Sequence, residues 1–174
     1  CREIVTHADP QQRPTIFDRL PTVKPGRWLS VGRLDFNTSG LLLLTTDGVL
    51  ANYLMHPSSE IEREYKVRVH GKASDEVLSR LQQGVQLEDG LASLTLLEIQ
   101  ETQGTNTWYR ILLKEGRNRE VRRLWESQGL QVSRLIRTRF SFIELPRGLK
   151  KGGYIELSPG KVRQLYKLIK LHIQ

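Results

Sequence analysis

An arginine and an aspartate share a tight turn at Gly32-Arg33-Leu34-Asp35, and Asn37-Thr38-Ser39-Gly40 follows before an apolar run at residues 41–44. A turn-rich loop that feeds a buried strand holds its side chains on a rigid scaffold, and catalytic groups concentrate in such loops. A carboxylate there can act as a nucleophile or a general base. Taken alone, an aspartate in a turn is more often a capping or turn residue. The case for Asp35 therefore depends on its partners.

The second stretch is Lys114-Glu115-Gly116-Arg117-Asn118-Arg119-Glu120-Val121-Arg122-Arg123-Leu124-Trp125. Val121, Leu124 and Trp125 recur at helical spacing and should pack inward. Arg122 lies beside that stripe, at the edge of the core. A half-buried arginine normally has a carboxylate partner, because an unpaired buried charge is costly. Asp35 is a candidate. Arg117, Arg119 and Arg123 point elsewhere and can meet phosphate, and Arg134, Arg137 and Arg139 follow downstream. From residue 114 to 139 there are eight basic and three acidic residues, a net +5 within a chain of net +8. A solvated basic face would look similar. The preference for arginine over lysine weakens that reading, since a guanidinium grips phosphate in bidentate fashion and stacks on bases.

Other chemistries find less support. Tyr65 falls on the apolar face of a strand, and by pattern alone it is a core residue. The four histidines, His7, His56, His70 and His172, have no metal-ligand spacing, and the single cysteine, Cys1, cannot build a thiolate site or an internal disulfide. No phosphate-cradling glycine loop, dinucleotide fingerprint or nucleophile elbow is present. The expectation is an activity without cofactor or metal.

The elements that must position these groups read as follows. Residues 3–30 look irregular, punctuated by Pro10, Pro14, Pro21, Pro25 and Gly26. Residues 41–45 read as a buried strand, and Asp47 caps a helix over 48–55 that Pro57 stops. Residues 64–69 alternate, with Tyr65, Val67 and Val69 on one face. Ser74 caps a helix that runs to about residue 83 and ends at Gly84. Residues 91–100 and 107–113 read as strands, 118–128 as a helix, 132–143 as one or two strands and 162–173 as a final helix. The mixture lacks regular βαβ spacing, which predicts an α+β fold around a central, largely antiparallel sheet with peripheral helices.

The length of 174 residues fits one domain spanning 1–174. A hydrophobic fraction of 38% against 26% charged residues allows a packed core. The excess of 27 Lys and Arg over 19 Asp and Glu favours a polyanionic partner. Nothing reads as a signal peptide or a membrane span, and the expected location is the cytoplasm.

Taken together the motifs resemble those of the pseudouridine synthases that modify ribosomal RNA. Gly32-Arg33-Leu34-Asp35 with Thr38-Ser39-Gly40-Leu41-Leu42 resembles the active-site motif of that family. Glu62-Arg63-Glu64-Tyr65-Lys66-Val67 resembles its tyrosine strand, and Glu115-Gly116-Arg117-Asn118-Arg119-Glu120-Val121-Arg122-Arg123 its basic third motif. The resemblance runs from about residue 15 to 153. It implies an isomerase that acts on one uridine of 23S ribosomal RNA in the large ribosomal subunit, as a monomer. Asp35 would be the essential aspartate and Tyr65 the tyrosine that stacks on the flipped base. Arg122 would pair with the aspartate, and Arg33 would enter the RNA as the uridine swings out. Arg117, Asn118, Arg119, Arg123, Arg134 and Arg137 would contact RNA. Whether the carboxylate attacks the ribose, attacks the base or removes the C2′ proton stays open. Family members of this type begin with a small RNA-binding domain that this sequence does not contain, so the expectation is a catalytic domain cut from a longer protein. A non-enzymatic RNA-binding module would explain the charge equally well. It would not explain an Arg-x-Asp loop coupled to a tyrosine strand.

Overall fold

The computed structural model describes residue 11 and residues 13–172. The readings that involve Cys1, His7 and Pro10, and the end of the last helix at residue 173, lie outside the described residues. In chain order the regular elements are β1 (Leu29–Val31), β2 (Thr38–Gly40), β3 (Leu43–Thr45), α1 (Gly48–Met55), β4 (Arg63–His70), α2 (Asp75–Gln83), β5 (Val85–Leu87), β6 (Gly90–Ala92), β7 (Thr95–Gln103), β8 (Asn106–Leu113), α3 (Glu120–Glu126), β9 (Val132–Phe140), β10 (Ile143–Glu144) and α4 (Pro159–His172). Short 3-10 turns cover Ile16–Arg19 and Pro57–Ser59. The chain divides into two compact units.

The first unit comprises Cys1–Phe36, Leu42–Ser59 and Pro146–Gln174. β1 and β3 pair antiparallel, Leu29 opposite Thr45 and Val31 opposite Leu43. The Asp47 carboxylate accepts from the amides of Val49 at 2.8 Å and Leu50 at 3.2 Å, which caps α1 as expected. Its Oδ2 also accepts from the Tyr166 hydroxyl on α4. Leu50, Ala51 and Leu54 of α1 and Leu165 and Ile169 of α4 are buried, and Tyr53 donates to the Leu168 carbonyl at 3.1 Å. α4 starts at Pro159, three residues before the expected point. Proline suits the first helical turn because its missing N–H has no partner there anyway.

The second unit comprises Asn37–Leu41 and Glu60–Leu145. Its sheet runs β10-β9-β4-β8-β7, with β2 added beside β9. Every pairing is antiparallel except the parallel β2–β9 pair. The buried alternation Arg63, Tyr65, Val67, Val69 on β4 follows the period of two. Leu78 and Leu81 of α2 and Val121, Leu124 and Trp125 of α3 join the core that covers this face. The rings of Trp125 and Tyr109 stand 4.8 Å apart, and the Tyr109 hydroxyl accepts from the Ala73 amide at 2.9 Å.

Other boundaries also differ from the sequence reading. The strand expected from residue 41 starts at Leu43. Residues 38–40 form a separate strand, and the Leu41 amide donates to the Arg137 carbonyl at 2.8 Å. The strand expected at 91–100 is broken, because β6 pairs with β5 as a hairpin and the Leu94 amide turns to the Leu81 carbonyl at 3.0 Å before β7 begins. The helix expected from residue 118 starts at Glu120, because Arg119 takes a left-handed conformation (φ 50°) that ends the preceding turn.

Candidate active site

In the second unit, β4 and β9 bring two of the predicted residues directly opposite one another: Tyr65 pairs with Arg137. A register shift lies between Glu64 and Tyr65, because Glu64 pairs with Arg139 and Thr138 is left over. The extra residue is a β-bulge, and the Thr138 hydroxyl donates to the Glu64 carbonyl at 3.3 Å. The bulge lets Arg137 turn inward while Arg139 turns outward to Glu64, at 3.1 Å. Tyr65 and Arg137 are both buried, 8% and 4% exposed. Cross-strand neighbours on one face are within side-chain reach, so the ladder brings the buried Arg137 and Tyr65 side chains together. The Arg137 Nε donates to the Leu41 carbonyl at 2.8 Å. Burial lowers the Arg137 pKa, and the tyrosine partly offsets the shift.

Arg137 was expected to contact RNA. The structure places it in the core, 4% exposed.

Phe140 links Arg137 to a second buried arginine. The Arg63 guanidinium carbon lies 5.1 Å from the Phe140 ring centre and that of Arg137 5.4 Å. Arg63 donates to the carbonyls of Ile61 at 2.7 Å and Lys114 at 3.0 Å. Sequence reasoning passed over Arg63. The signal was present, since an arginine two residues before Tyr65 extends the buried face of the strand by one position.

Arg122 is the third buried arginine, 7% exposed. α3 presents it beside Val121 and Trp125, as its position next to the apolar stripe predicted. Nη1 donates to the Val132 carbonyl at 3.0 Å and Nη2 to the Asn37 carbonyl at 2.9 Å. Asn37 follows Asp35 by two residues in the chain. Asp35 itself belongs to the first unit, in the loop after β1, and is half-buried; Arg33 in the same loop is exposed.

The basic loop before α3 is more tied down than its composition implied. Arg117 bonds Glu115, reaches Asp89 at 3.4 Å and donates to the carbonyls of Asp89, Gly90 and Leu91. Arg123 grips Asp89 with two contacts of 2.8 Å. The Arg123 guanidinium holds the Asp89 carboxyl down to about 2. Asp89 and Glu120 were not singled out from the sequence, because nothing local announces that the tip of a hairpin reaches a loop nearly thirty residues on. Glu120 is 3% exposed, and its Oε2 accepts from the Arg117 amide at 3.0 Å. Burial pushes its carboxyl up to about 7, and the neighbouring Glu115 adds to the shift. Asn118, Arg119 and Arg134 are exposed. Among the described residues no group of three or more His, Cys, Asp or Glu is placed to hold a metal ion, and no helix is long and apolar enough to cross a membrane.

Residues 2–127, which include all three motifs, match the family described as RNA pseudouridylate synthase. The chain belongs to that family. It is 56% identical over 172 residues to ribosomal large subunit pseudouridine synthase B of Yersinia pestis, covering 99% of this chain and 54% of that protein. The protein of the same name from Haemophilus influenzae is 58% identical over 169 residues, covering 97% of this chain and 47% of its own length. The chain thus spans about half the length of these curated relatives. Among solved structures, a crystal structure of a pseudouridylate synthase superposes with a TM-score of 0.76 at 26% identity, over 87% of this chain and 65% of that one. An H/ACA ribonucleoprotein structure, bound to a substrate RNA containing 2′-deoxyuridine, shares the fold with a TM-score of 0.54 at 18% identity, over 68% of this chain and 40% of that one. The α+β architecture expected from the sequence is that of the family.

Proposed function

We propose that this chain is the catalytic part of an isomerase that converts a uridine of large-subunit ribosomal RNA, the 23S RNA, to pseudouridine in the cytoplasm. Asp35 is its essential carboxylate. The observation that carries the reading is the hydrogen bond from the buried Arg122 to the Asn37 carbonyl, at 2.9 Å. Asn37 lies two residues after Asp35 in the chain, so the third motif is bonded to the segment that continues the Arg-x-Asp loop. In this reading Arg122 keeps the carboxylate charged and oriented, because a neighbouring cation favours the ionised form.

The reaction breaks the glycosidic C–N bond, turns the base over and makes a C–C bond, with no atoms gained or lost. The base must first leave its stack, at a cost of a few kcal/mol. Arg33, exposed on its loop, fills the vacancy, and Tyr65 provides the surface on which the flipped base stacks. Arg119, Arg123, Arg134 and Asn118 serve the RNA backbone, with Arg123 doing so beside its bond to Asp89.

Asp35→Asn tests the reading. Pseudouridine formation in ribosomal RNA, read by mapping the modified positions, is expected to vanish. Thermal stability should stay within about 1 kcal/mol of wild type, because the side chain is half-buried at a loop. Turnover retained in a well-folded Asp35→Asn protein would remove the reading.

A further inference from the structure

Arg137 has one buried nitrogen without a partner. Its Nε is engaged by the Leu41 carbonyl, while Nη2 lies inaccessible to solvent with no hydrogen-bond partner among the described residues. Leaving a buried donor unsatisfied costs about 1–3 kcal/mol, more when the group is charged. Such a group in a well-packed unit calls for a reason. Tethering β2 is not a sufficient one. The backbone ladder with β9 already holds residues 38–40, and the Leu41 amide is bonded to the Arg137 carbonyl. A neutral side chain would also leave less to bury.

The surroundings show what the guanidinium faces. It stands opposite Tyr65 across the β4–β9 ladder, at a bulge that turns it inward. Phe140 packs against it on another side. No carboxylate makes a hydrogen bond or an ion pair with it among the described residues. The bulge and the buried charge occur at the same place, and bulges gather beside active sites because they re-aim a side chain.

We infer that Arg137 is a positioning residue that holds Tyr65 in place from across the β4–β9 ladder. The inference rests on the proposed reading that Tyr65 receives a flipped uridine. A planar guanidinium anchored at Nε keeps one orientation beside the ring, which the flexible stem of a lysine would not. The tyrosine then meets the base in one orientation rather than many, which lowers the entropic part of the barrier.

The test is a double-mutant cycle with Arg137→Met, Arg137→Lys and Tyr65→Phe in the full-length protein, with kcat and KM measured on ribosomal RNA. Wild type is assayed first on the same RNA. Wild-type protein that makes no pseudouridine would sink the proposed function itself. Given wild-type turnover, Arg137→Met should lower kcat about 100-fold, and the loss should shrink to a few-fold in the Tyr65→Phe background. Arg137→Lys keeps the charge but not the fork. It should fold, bind RNA within a few-fold of wild-type KM and recover only part of kcat. Should Arg137→Met fail to fold, the lysine variant carries the test through the same cycle. Wild-type kcat in Arg137→Lys, or losses in kcat that simply multiply with those of Tyr65→Phe, would overturn the inference while leaving the proposed activity standing.

Discussion

Gly40 and Arg137 are backbone partners in the parallel β2–β9 pairing, and they touch so closely that no side chain fits between them. A Cβ on Gly40 would meet the Arg137 carbonyl and stand 2.7 Å from its amide nitrogen. Gly40 also holds φ at 109°, a conformation that L side chains rarely adopt. The glycine that closes the first motif is therefore the point where that motif is laid onto the strand carrying Arg137.

Gly40→Ala should accordingly be severe. Backbone strain of about 1 kcal/mol adds to a clash that only separation of β2 from β9 relieves. A loss of about 3 kcal/mol is expected, which lowers Tm by roughly 6–12 °C in a chain of this size. Thermal unfolding by circular dichroism reads it directly. An unchanged melting temperature would mean that β2 is not held where the pairing puts it.

The basic loop yields a contrast between two neighbours. Arg117 is bonded to Glu115 and to three carbonyls of the Asp89 hairpin, whereas Arg119 is exposed. Arg117→Ala should cost about 2 kcal/mol of stability through lost hydrogen bonds to a charged group. Arg119→Ala should leave stability alone, weaken RNA binding and reduce the slope of log affinity against log salt by about one. Equal effects of the two substitutions on both melting and salt slope would count against this division.

Much of this was legible in the amino-acid order because it is local. The caps at Asp47 and Ser74, the alternation through Tyr65 and the stripe of Val121, Leu124 and Trp125 each follow from period and turn chemistry. What was not legible is non-local. The burial of Arg137 could not be read because a bulge decides which way it faces, and a bulge depends on pairing with β4. The bonds of Arg117 and Arg123 to Asp89 could not be read because Asp89 is remote in sequence. The break at residues 93–94 needed the Leu81 carbonyl as an acceptor, which no reading of residues 91–100 alone contains.

Glu120 makes the stability of the second unit depend on pH. Its carboxyl is raised by burial from an ordinary 4.5 to about 7. Below pH 4.5 it is protonated folded and unfolded alike, and its contribution to stability is fully present. As pH rises toward 7 the unfolded chain gives up the proton while the folded chain keeps it, so the contribution declines, and it is gone once pH has passed about 7. Glu115 beside it runs the other way, since the Arg117 guanidinium holds its carboxyl below the usual range. Its contribution is present near neutrality and lost only in stronger acid. Glu120→Gln cannot ionise, and its amide oxygen can still accept from the Arg117 amide. The variant should match wild type in urea unfolding near pH 5 and exceed it by about 2 kcal/mol near pH 8. Parallel stability profiles for the two proteins between those pH values would show that Glu120 does not titrate in the fold as its burial requires.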